Sequence, residues 1–321
     1  MPAEFGNSIK QGFRVVNRNW QIVLARVAGS LVNWLALFII VGIPLFIAVM
    51  VVGVELATSS AMAFLNGLKE AFMSGYFGIA LMVLTSVLLY LMVIALVWVY
   101  VMSGCMGIIA VSAVKEGRKV FTGRLFFAAA KEHLRRLTGF YALLGLLVIA
   151  ASIFAGIAVG GTIYISDALK ESNTFLGVLL GMVLYIFITV FVVASVLGGL
   201  SIGAFGAAAT VLEKKDAWAS LKTAVTFLYR NPGAFFGFSL LFFLYGIITF
   251  VILAPLNLFF LIGVFLAFPY MIVTYAAEYY LGLCLIASAF SYYFKKTGAG
   301  ISEGIQQKDT RADAMPGQTP G

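Results

Sequence analysis

Glu278 is the residue whose type and position most suggest chemistry, because it is a carboxylic acid within a long apolar segment. It lies in the stretch PYMIVTYAAEYYLGLCL, between Pro269 and Lys295. A helix rises about 1.5 Å per residue, so this position falls at membrane depth. An acid there costs about 2.5–3.5 kcal/mol, and we expect it to be neutral or to face the interior of a helix bundle.

Tyrosines flank Glu278 on the same segment: Tyr275, Tyr279 and Tyr280. Together they could bind a proton, a cation or a substrate amine, as intramembrane acids do in transporters. The alternative is a packing residue that is protonated or hydrogen-bonded to another helix. The sequence does not choose between a binding site at Glu278, Tyr275 and Tyr279 and this structural role.

A second pattern combines basic residues at helical spacing with an apolar face. Lys222, Thr226 and Arg230 recur every four residues and share one side of a helix. The other side carries Trp218, Leu221, Val225 and Leu228. Such a helix is typical of the boundary between lipid headgroups and acyl chains. Lys10, Arg14 and Arg18 repeat the spacing near the N-terminus.

These cations have two interpretations. Arg14, Arg18, Lys222 and Arg230 could bind anionic headgroups on the cytoplasmic side, each contributing about 1 kcal/mol of attraction. Alternatively, they determine topology and are otherwise solvated.

Signatures of catalysis and metal binding are absent. Cys105 and Cys284 lie in apolar runs, which is typical of inert buried thiols, and His133 is the single histidine. No phosphate loop, zinc helix or nucleophile elbow occurs. We therefore expect no cofactor, no metal site and no enzymatic activity.

The composition indicates a polytopic membrane protein. Hydrophobic residues make up 62% of the chain and charged residues only 11%, far from the averages of soluble domains. The net charge of +8 reflects lysine and arginine on the cytoplasmic side of a membrane, rather than nucleic-acid binding.

An internal repeat organises the pattern. Aligning Ser8-Ile9-Lys10 with Ser220-Leu221-Lys222 brings Arg18 onto Arg230 and Asn19 onto Asn231. We predict an all-α fold of six transmembrane helices in three hairpin repeats, each preceded by a basic amphipathic interfacial helix. The repeats cover about 1–114, 115–212 and 213–296 and form a single transmembrane domain, 1–296.

The apolar runs set the element boundaries. The predicted spans are 29–54, 77–114, 139–165, 175–212, 234–253 and 258–294. The predicted interfacial helices lie within 1–28, 115–136 and 216–230, the last ending in a turn at Asn231-Pro232-Gly233. We expect a surface helix within 55–76, a polar loop at 166–174, a tight turn at 255–257 and a kink at Pro44. The polar residues 297–321 are predicted to be a disordered tail.

Lysine and arginine set the orientation. All except Lys69 and Lys170 fall on one side of the predicted spans. The positive-inside rule therefore places both termini in the cytoplasm.

The stretch LKTAVTFLYRNPGAFFGF, followed by a long hairpin, resembles bacterial six-helix membrane families. One example is the membrane domain that precedes some glycerophosphodiester phosphodiesterases. The catalytic domain of those enzymes has no counterpart here. The resemblance implies a module of the bacterial inner membrane.

Three functions compete at this point. The first is a non-enzymatic membrane module that engages lipids or partner membrane proteins through its cytoplasmic basic surface. The second is a transporter or channel for a small solute, with its site at Glu278. The third is an intramembrane enzyme acting on lipid, which would need a second titratable group near Glu278.

Overall fold

A computed structural model describes residues 2–52, 77–172, 174–262 and 264–298. These parts of the chain form helices and short turns, with no strand among them. The helices are α1 (Pro2–Arg18), α2 (Gln21–Leu37), α3 (Ile43–Val52), α4 (Phe77–Val114), α5 (Gly123–Ser172), α6 (Thr174–Leu212), α7 (Ala217–Arg230), α8 (Pro232–Ile262) and α9 (Val264–Thr297).

Six of the described segments are long and apolar enough to span a membrane. They are Gln21–Met50, Phe77–Val114, Gly123–Lys170, Thr174–Leu212, Pro232–Ile252 and Pro269–Thr297. The chain is therefore an all-helical, multi-pass membrane protein, as its composition predicts. The long helices α4 and α6 closely follow the two predicted 38-residue apolar stretches.

Helix α5 differs from the prediction because it is continuous over 50 residues. The predicted separation between an interfacial helix at 115–136 and a span from 139 is wrong. Leu137 is fully buried, and the Thr138 hydroxyl donates to the Leu134 carbonyl at 2.7 Å, so nothing interrupts the helix. The predicted loop at 166–174 is also wrong up to Ser172, and Lys170 pairs with Asp167 at 2.7 Å along one turn.

Two other helix boundaries differ from the prediction. The first amphipathic helix, predicted within 1–28, is Pro2–Arg18, and α2 starts at Gln21 rather than at residue 29. The predicted turn at 255–257 is wrong, because α8 continues through it to Ile262. Proline is tolerated in membrane helices where neighbouring groups satisfy the freed backbone. Pro255 leaves the Val251 carbonyl without its helical N–H donor, and the Tyr270 hydroxyl donates to the next carbonyl, of Ile252, at 2.8 Å.

The predicted kink at Pro44 coincides with a short π-helical segment, Phe38–Gly42, between α2 and α3. Proline cannot donate to the preceding turn, and a π-bulge is one way a helix accommodates such a defect. The predicted surface helix within 55–76 and nearly all of the predicted tail, from residue 299 onward, lie outside the described residues.

The structure contains two units, each considered by itself. One comprises 24–52 with 77–102. In it α2 approaches α4 closely: a Cβ atom on Gly29 would lie 3.1 Å from Val101. The Arg26 guanidinium lies 5.5 Å from the centroid of the Trp98 ring, in cation–π geometry.

The other unit comprises 2–23 with 103–298, and it holds all three basic amphipathic segments. Each segment packs on the C-terminal part of a long helix. Helix α1 contacts α9, where a Cβ atom on Gly12 would lie 2.1 Å from the Ser288 hydroxyl. The start of α5 contacts α4 where Ala129 meets Gly107. Helix α7 contacts α6 where the rings of Phe227 and Phe205 are 5.0 Å apart.

An aromatic cluster joins these helices at one end of this unit. The members in ring contact are Phe5, Phe205, Phe227, Phe238, Tyr292 and Tyr293. Three of these pairs are edge-on and two are tilted, and aromatic pairs contribute about 0.5–1.5 kcal/mol each beyond their buried area. The cluster holds α7 firmly against α9 and thereby positions the polar side of α7.

Candidate functional site

Helix α7 presents three sectors around its axis. One sector is buried in the protein and comprises Ser220, Leu221, Ala224, Phe227 and Leu228. Asp216 precedes the helix in extended conformation, and Asn231 ends it, as the sequence predicts. The predicted turn at 231–233 is wrong beyond Asn231, because α8 begins at Pro232. The buried sector is therefore the part that fixes the helix in place.

A second sector is apolar but exposed. Trp218 is 68% exposed, Val225 48% and Tyr229 87%. The sequence places Trp218 and Val225 on one face with Leu221 and Leu228, whereas the structure divides that face. An exposed strip of large apolar side chains, with an indole and a phenol among them, is typical of helices that lie at the membrane interface. We call Trp218, Val225 and Tyr229 the apolar strip.

The third sector carries Lys222, Thr226 and Arg230, and it faces a cleft of about 460 Å³. The cleft lies between α7 and the C-terminal end of α9. Its lining comprises Glu213, Lys222, Thr223, Thr226, Phe227, Arg230, Asn231, Tyr293, Lys296 and Thr297. We call it the basic cleft. It brings the predicted headgroup residues Lys222 and Arg230 together with Lys296.

Two of the charged groups in the basic cleft have partners of opposite sign. Glu213 pairs with Lys215 at 2.5 Å and accepts a hydrogen bond from the Tyr293 hydroxyl. Lys296 pairs with Glu4 of α1 at 2.7 Å. This hydrogen bond with Lys296 lowers the pKa of the Glu4 carboxyl from its usual value.

Lys222 and Arg230 are different, since neither forms an ion pair with any residue that the structure describes. Both side chains are exposed. The cleft therefore carries two cations whose charge is not balanced by the described protein. This imbalance is the main electrostatic property of the site.

Helix α1 bears the second predicted group of cations. Lys10, Arg14 and Arg18 line a second depression, also of about 460 Å³, with Ile9, Phe13 and Asn17. Here the protein itself occupies part of the polar sector: Arg18 donates to the Gly117 carbonyl at 3.3 Å, and Tyr280 donates to Asn17 at 2.6 Å. The structure therefore places Arg14 and Arg18 apart from the basic cleft.

Asn19, at the end of α1, is a buried hydrogen-bond centre. Its Oδ1 accepts from the backbone N–H of Val120 at 2.8 Å and of Phe121 at 3.0 Å. Its Nδ2 donates to the Val15 carbonyl at 2.9 Å and to the Ser112 hydroxyl at 3.1 Å. The residue therefore ties α1 to the turn that follows α4.

Glu278 lies on α9 with an intermediate exposure. The rings of Tyr275 and Tyr279 stack at 6.0 Å with an interplanar angle of 15°. Tyr280, which the sequence groups with them, instead donates to Asn17 of α1. A binding role for Glu278, Tyr275 and Tyr279 stays a prediction.

The remaining candidate groups are buried. Cys105 and Cys284 are both fully buried free thiols, and His133 is 3% exposed. No cluster of metal-ligating side chains occurs within the described ranges.

The sequence did not identify Tyr293, Lys296 and Glu213 as part of the site. Their separation from Lys222 in the chain hides the relationship, because only the packing of α7 on α6 and α9 creates the cleft. One signal was available: Lys295-Lys296 follows the last apolar run, as basic residues also accompany the amphipathic helices.

Comparison with known proteins gave no match of significance to a protein family, to a curated protein or to a solved structure. The resemblance to bacterial six-helix membrane families therefore stays a prediction.

Proposed function

We propose that the protein is a non-enzymatic module of the bacterial inner membrane that engages anionic lipid headgroups through its amphipathic helices. Both termini lie in the cytoplasm in this proposal, and the helices α1 and α7 lie at the cytoplasmic surface of the bilayer. The observation that carries the proposal is the apolar strip of α7 beside Lys222, which forms no ion pair with the residues that the structure describes. This arrangement suits an interface in which acyl chains contact the strip and headgroup phosphates contact the cations.

The proposal includes three hairpin repeats, each with an amphipathic segment. Its support is the burial pattern: Ser8, Gly12, Val15 and Val16 of α1 are buried at the positions equivalent to Ser220, Ala224, Phe227 and Leu228 of α7. Each amphipathic segment also packs on the end of a long helix. A common mode of packing is what repeats of one structural unit would produce.

The test uses the fluorescence of Trp218 in nanodiscs that contain lipids brominated near the headgroup. Trp218→Phe is the reference, so that the difference between it and the wild type isolates one indole. We expect brominated lipid to quench Trp218, and brominated phosphatidylglycerol to quench it more than brominated phosphatidylcholine. Lys222→Gln with Arg230→Gln should remove this preference and keep the quenching.

Two other results would contradict the proposal. If no brominated lipid quenches Trp218, the strip does not contact the bilayer, and a partner protein would be the better occupant. Equal quenching by both lipids in the wild type would show contact without recognition of charge.

A further inference from the structure

The basic cleft is more than a charged surface, because it is concave, is bounded by two helices and contains specific donors. We propose that it binds one phosphomonoester headgroup of a lipid, held between Lys222 and Arg230. This inference rests on the proposed function and names the ligand class of the same site.

Charge balance points to a doubly charged ligand. Glu4 neutralises Lys296, and Lys215 neutralises Glu213. Lys222 and Arg230 then remain as two positive charges without a partner in the described protein. A phosphomonoester carries between −1.5 and −2 charges at neutral pH, whereas a phosphodiester carries one. The monoester therefore balances the cleft more completely.

The available donors match the same group. A phosphomonoester presents three strong acceptor oxygens. The Arg230 guanidinium can donate two parallel hydrogen bonds, and the Lys222 ammonium acts as a point charge. The Thr223 hydroxyl accepts from Lys215 at 2.9 Å, which leaves its own proton available to donate. Thr226 adds a second hydroxyl to the lining.

The source of the phosphate follows from the apolar strip. Val225 and Tyr229 directly neighbour Thr226 and Arg230 along the helix, and both apolar residues are exposed. A ligand that fills the cleft and continues along this side of α7 would place acyl chains against apolar surface. A soluble phosphate would use the cleft alone, so the exposed strip favours a lipid.

Comparison with α1 shows how the two aligned helices differ. Arg18 is equivalent to Arg230 in the aligned repeats, and it donates to the Gly117 carbonyl. Asn19 is equivalent to Asn231, and its Oδ1 accepts two backbone N–H groups. In α1, therefore, the chain itself uses these groups. In α7 no described segment of the chain takes their place, and the cleft remains open to a ligand.

The experiment is native mass spectrometry of the purified full chain in detergent at pH 8, with equimolar phosphatidic acid, phosphatidylglycerol and phosphatidylcholine. We expect one copy of phosphatidic acid to be retained preferentially. Lys222→Gln with Arg230→Gln should weaken its retention by about tenfold or more, because two charge-assisted contacts are lost. The matched control, Arg118→Gln with Lys119→Gln, removes the same charge from the exposed turn that follows α4 and should retain the lipid.

Several outcomes would overturn the inference. Equal retention of phosphatidic acid and phosphatidylglycerol would show that the cleft does not select a monoester. Loss of binding in the Arg118→Gln, Lys119→Gln control would show a diffuse charge effect. A second arm measures the thermal shift given by inorganic phosphate, and a shift equal to that of phosphatidic acid would identify a soluble ligand instead of a lipid.

The experiments distinguish failure of the inferred site from failure of the proposed function. If Trp218 is quenched by lipid but no stoichiometric phosphatidic acid is retained, the helix lies at the interface and only the inferred site is wrong. If Trp218 is not quenched, the interfacial function itself is wrong.

Discussion

Asn19 and Asn231 make the same hydrogen bond at the ends of two different amphipathic helices. Each side-chain amide donates at 2.9 Å to the carbonyl four residues earlier, of Val15 and of Phe227 respectively. The two residues align in the internal repeat that the sequence predicts. Their surroundings differ, however, since Asn19 is fully buried whereas Asn231 lines the basic cleft.

This difference predicts unequal effects of truncation. Asn19→Ala leaves the N–H groups of the half-buried residues Val120 and Phe121 without their acceptor, and an unsatisfied buried donor costs about 1–3 kcal/mol. We expect the free energy of unfolding to fall by about 2–4 kcal/mol. Asn231→Ala removes the local bond to Phe227 and should cost clearly less. Thermal unfolding in detergent measures both variants, and equal losses would contradict this assignment.

The contact between α1 and α9 predicts a sharp steric effect. A Cβ atom on Gly12 would lie 2.1 Å from the Ser288 hydroxyl and 2.6 Å from the Ser288 backbone nitrogen. Because backbone cannot rotate away, Gly12→Ala should destabilise the protein by about 1–3 kcal/mol. Gly6 of the same helix has open space around it, so Gly6→Ala should be neutral or stabilising. Thermal unfolding of both variants measures these changes in stability. If Gly12→Ala has the stability of the wild type, α1 and α9 do not approach each other this closely.

The ion pair between Glu4 and Lys296 predicts a dependence on acid pH. Hydrogen bonding to Lys296 lowers the pKa of Glu4 in the folded protein. A lowered carboxyl pKa contributes stability above the unfolded pKa, and this contribution is lost as the pH falls through the folded pKa. The stabilisation of α1 by this pair should thus be present at neutral pH and disappear in acid.

A carbon NMR titration of selectively labelled Glu4 checks this directly. Lys296→Gln should raise the Glu4 pKa toward its usual value, and Lys295→Gln serves as the neighbouring control. An unchanged Glu4 pKa in Lys296→Gln would show that the pair does not form in solution.

Glu278 gives a prediction about accessibility. Since the position lies within a span and is only partly exposed, Glu278→Cys should react slowly with membrane-impermeant thiol reagents from both sides. Both native cysteines are fully buried and should contribute little background. Lys222→Cys, exposed at the basic cleft, is the positive control and should react quickly from the cytoplasmic side only. Rapid labelling of Glu278→Cys would place it in a water-filled path and favour the transport alternative.

The sequence alone predicted the membrane class, the six apolar segments and the two outer amphipathic helices. Apolar run length and charge spacing are local properties, and they determine these elements directly. The sequence wrongly predicted helix interruptions at 137–139, 166–174 and 255–257. Whether a helix continues there depends on the residues that pack around it. Leu137 continues a helix where it is buried, and Tyr270 bonds a carbonyl close to Pro255.

Only the tertiary structure decided how α7 divides its apolar face. Periodicity places Trp218, Leu221, Val225 and Leu228 on one side, but a protein interior and an acyl chain are both apolar. Hydrophobicity alone therefore does not distinguish residues that pack in the protein interior from residues that contact acyl chains. In the structure the Phe227 ring contacts Phe205 and Tyr293, Leu221 and Leu228 are buried, and Trp218 and Val225 are exposed. The same packing brings Lys296 to Lys222 and Arg230, and so creates the basic cleft from residues that are far apart in the chain.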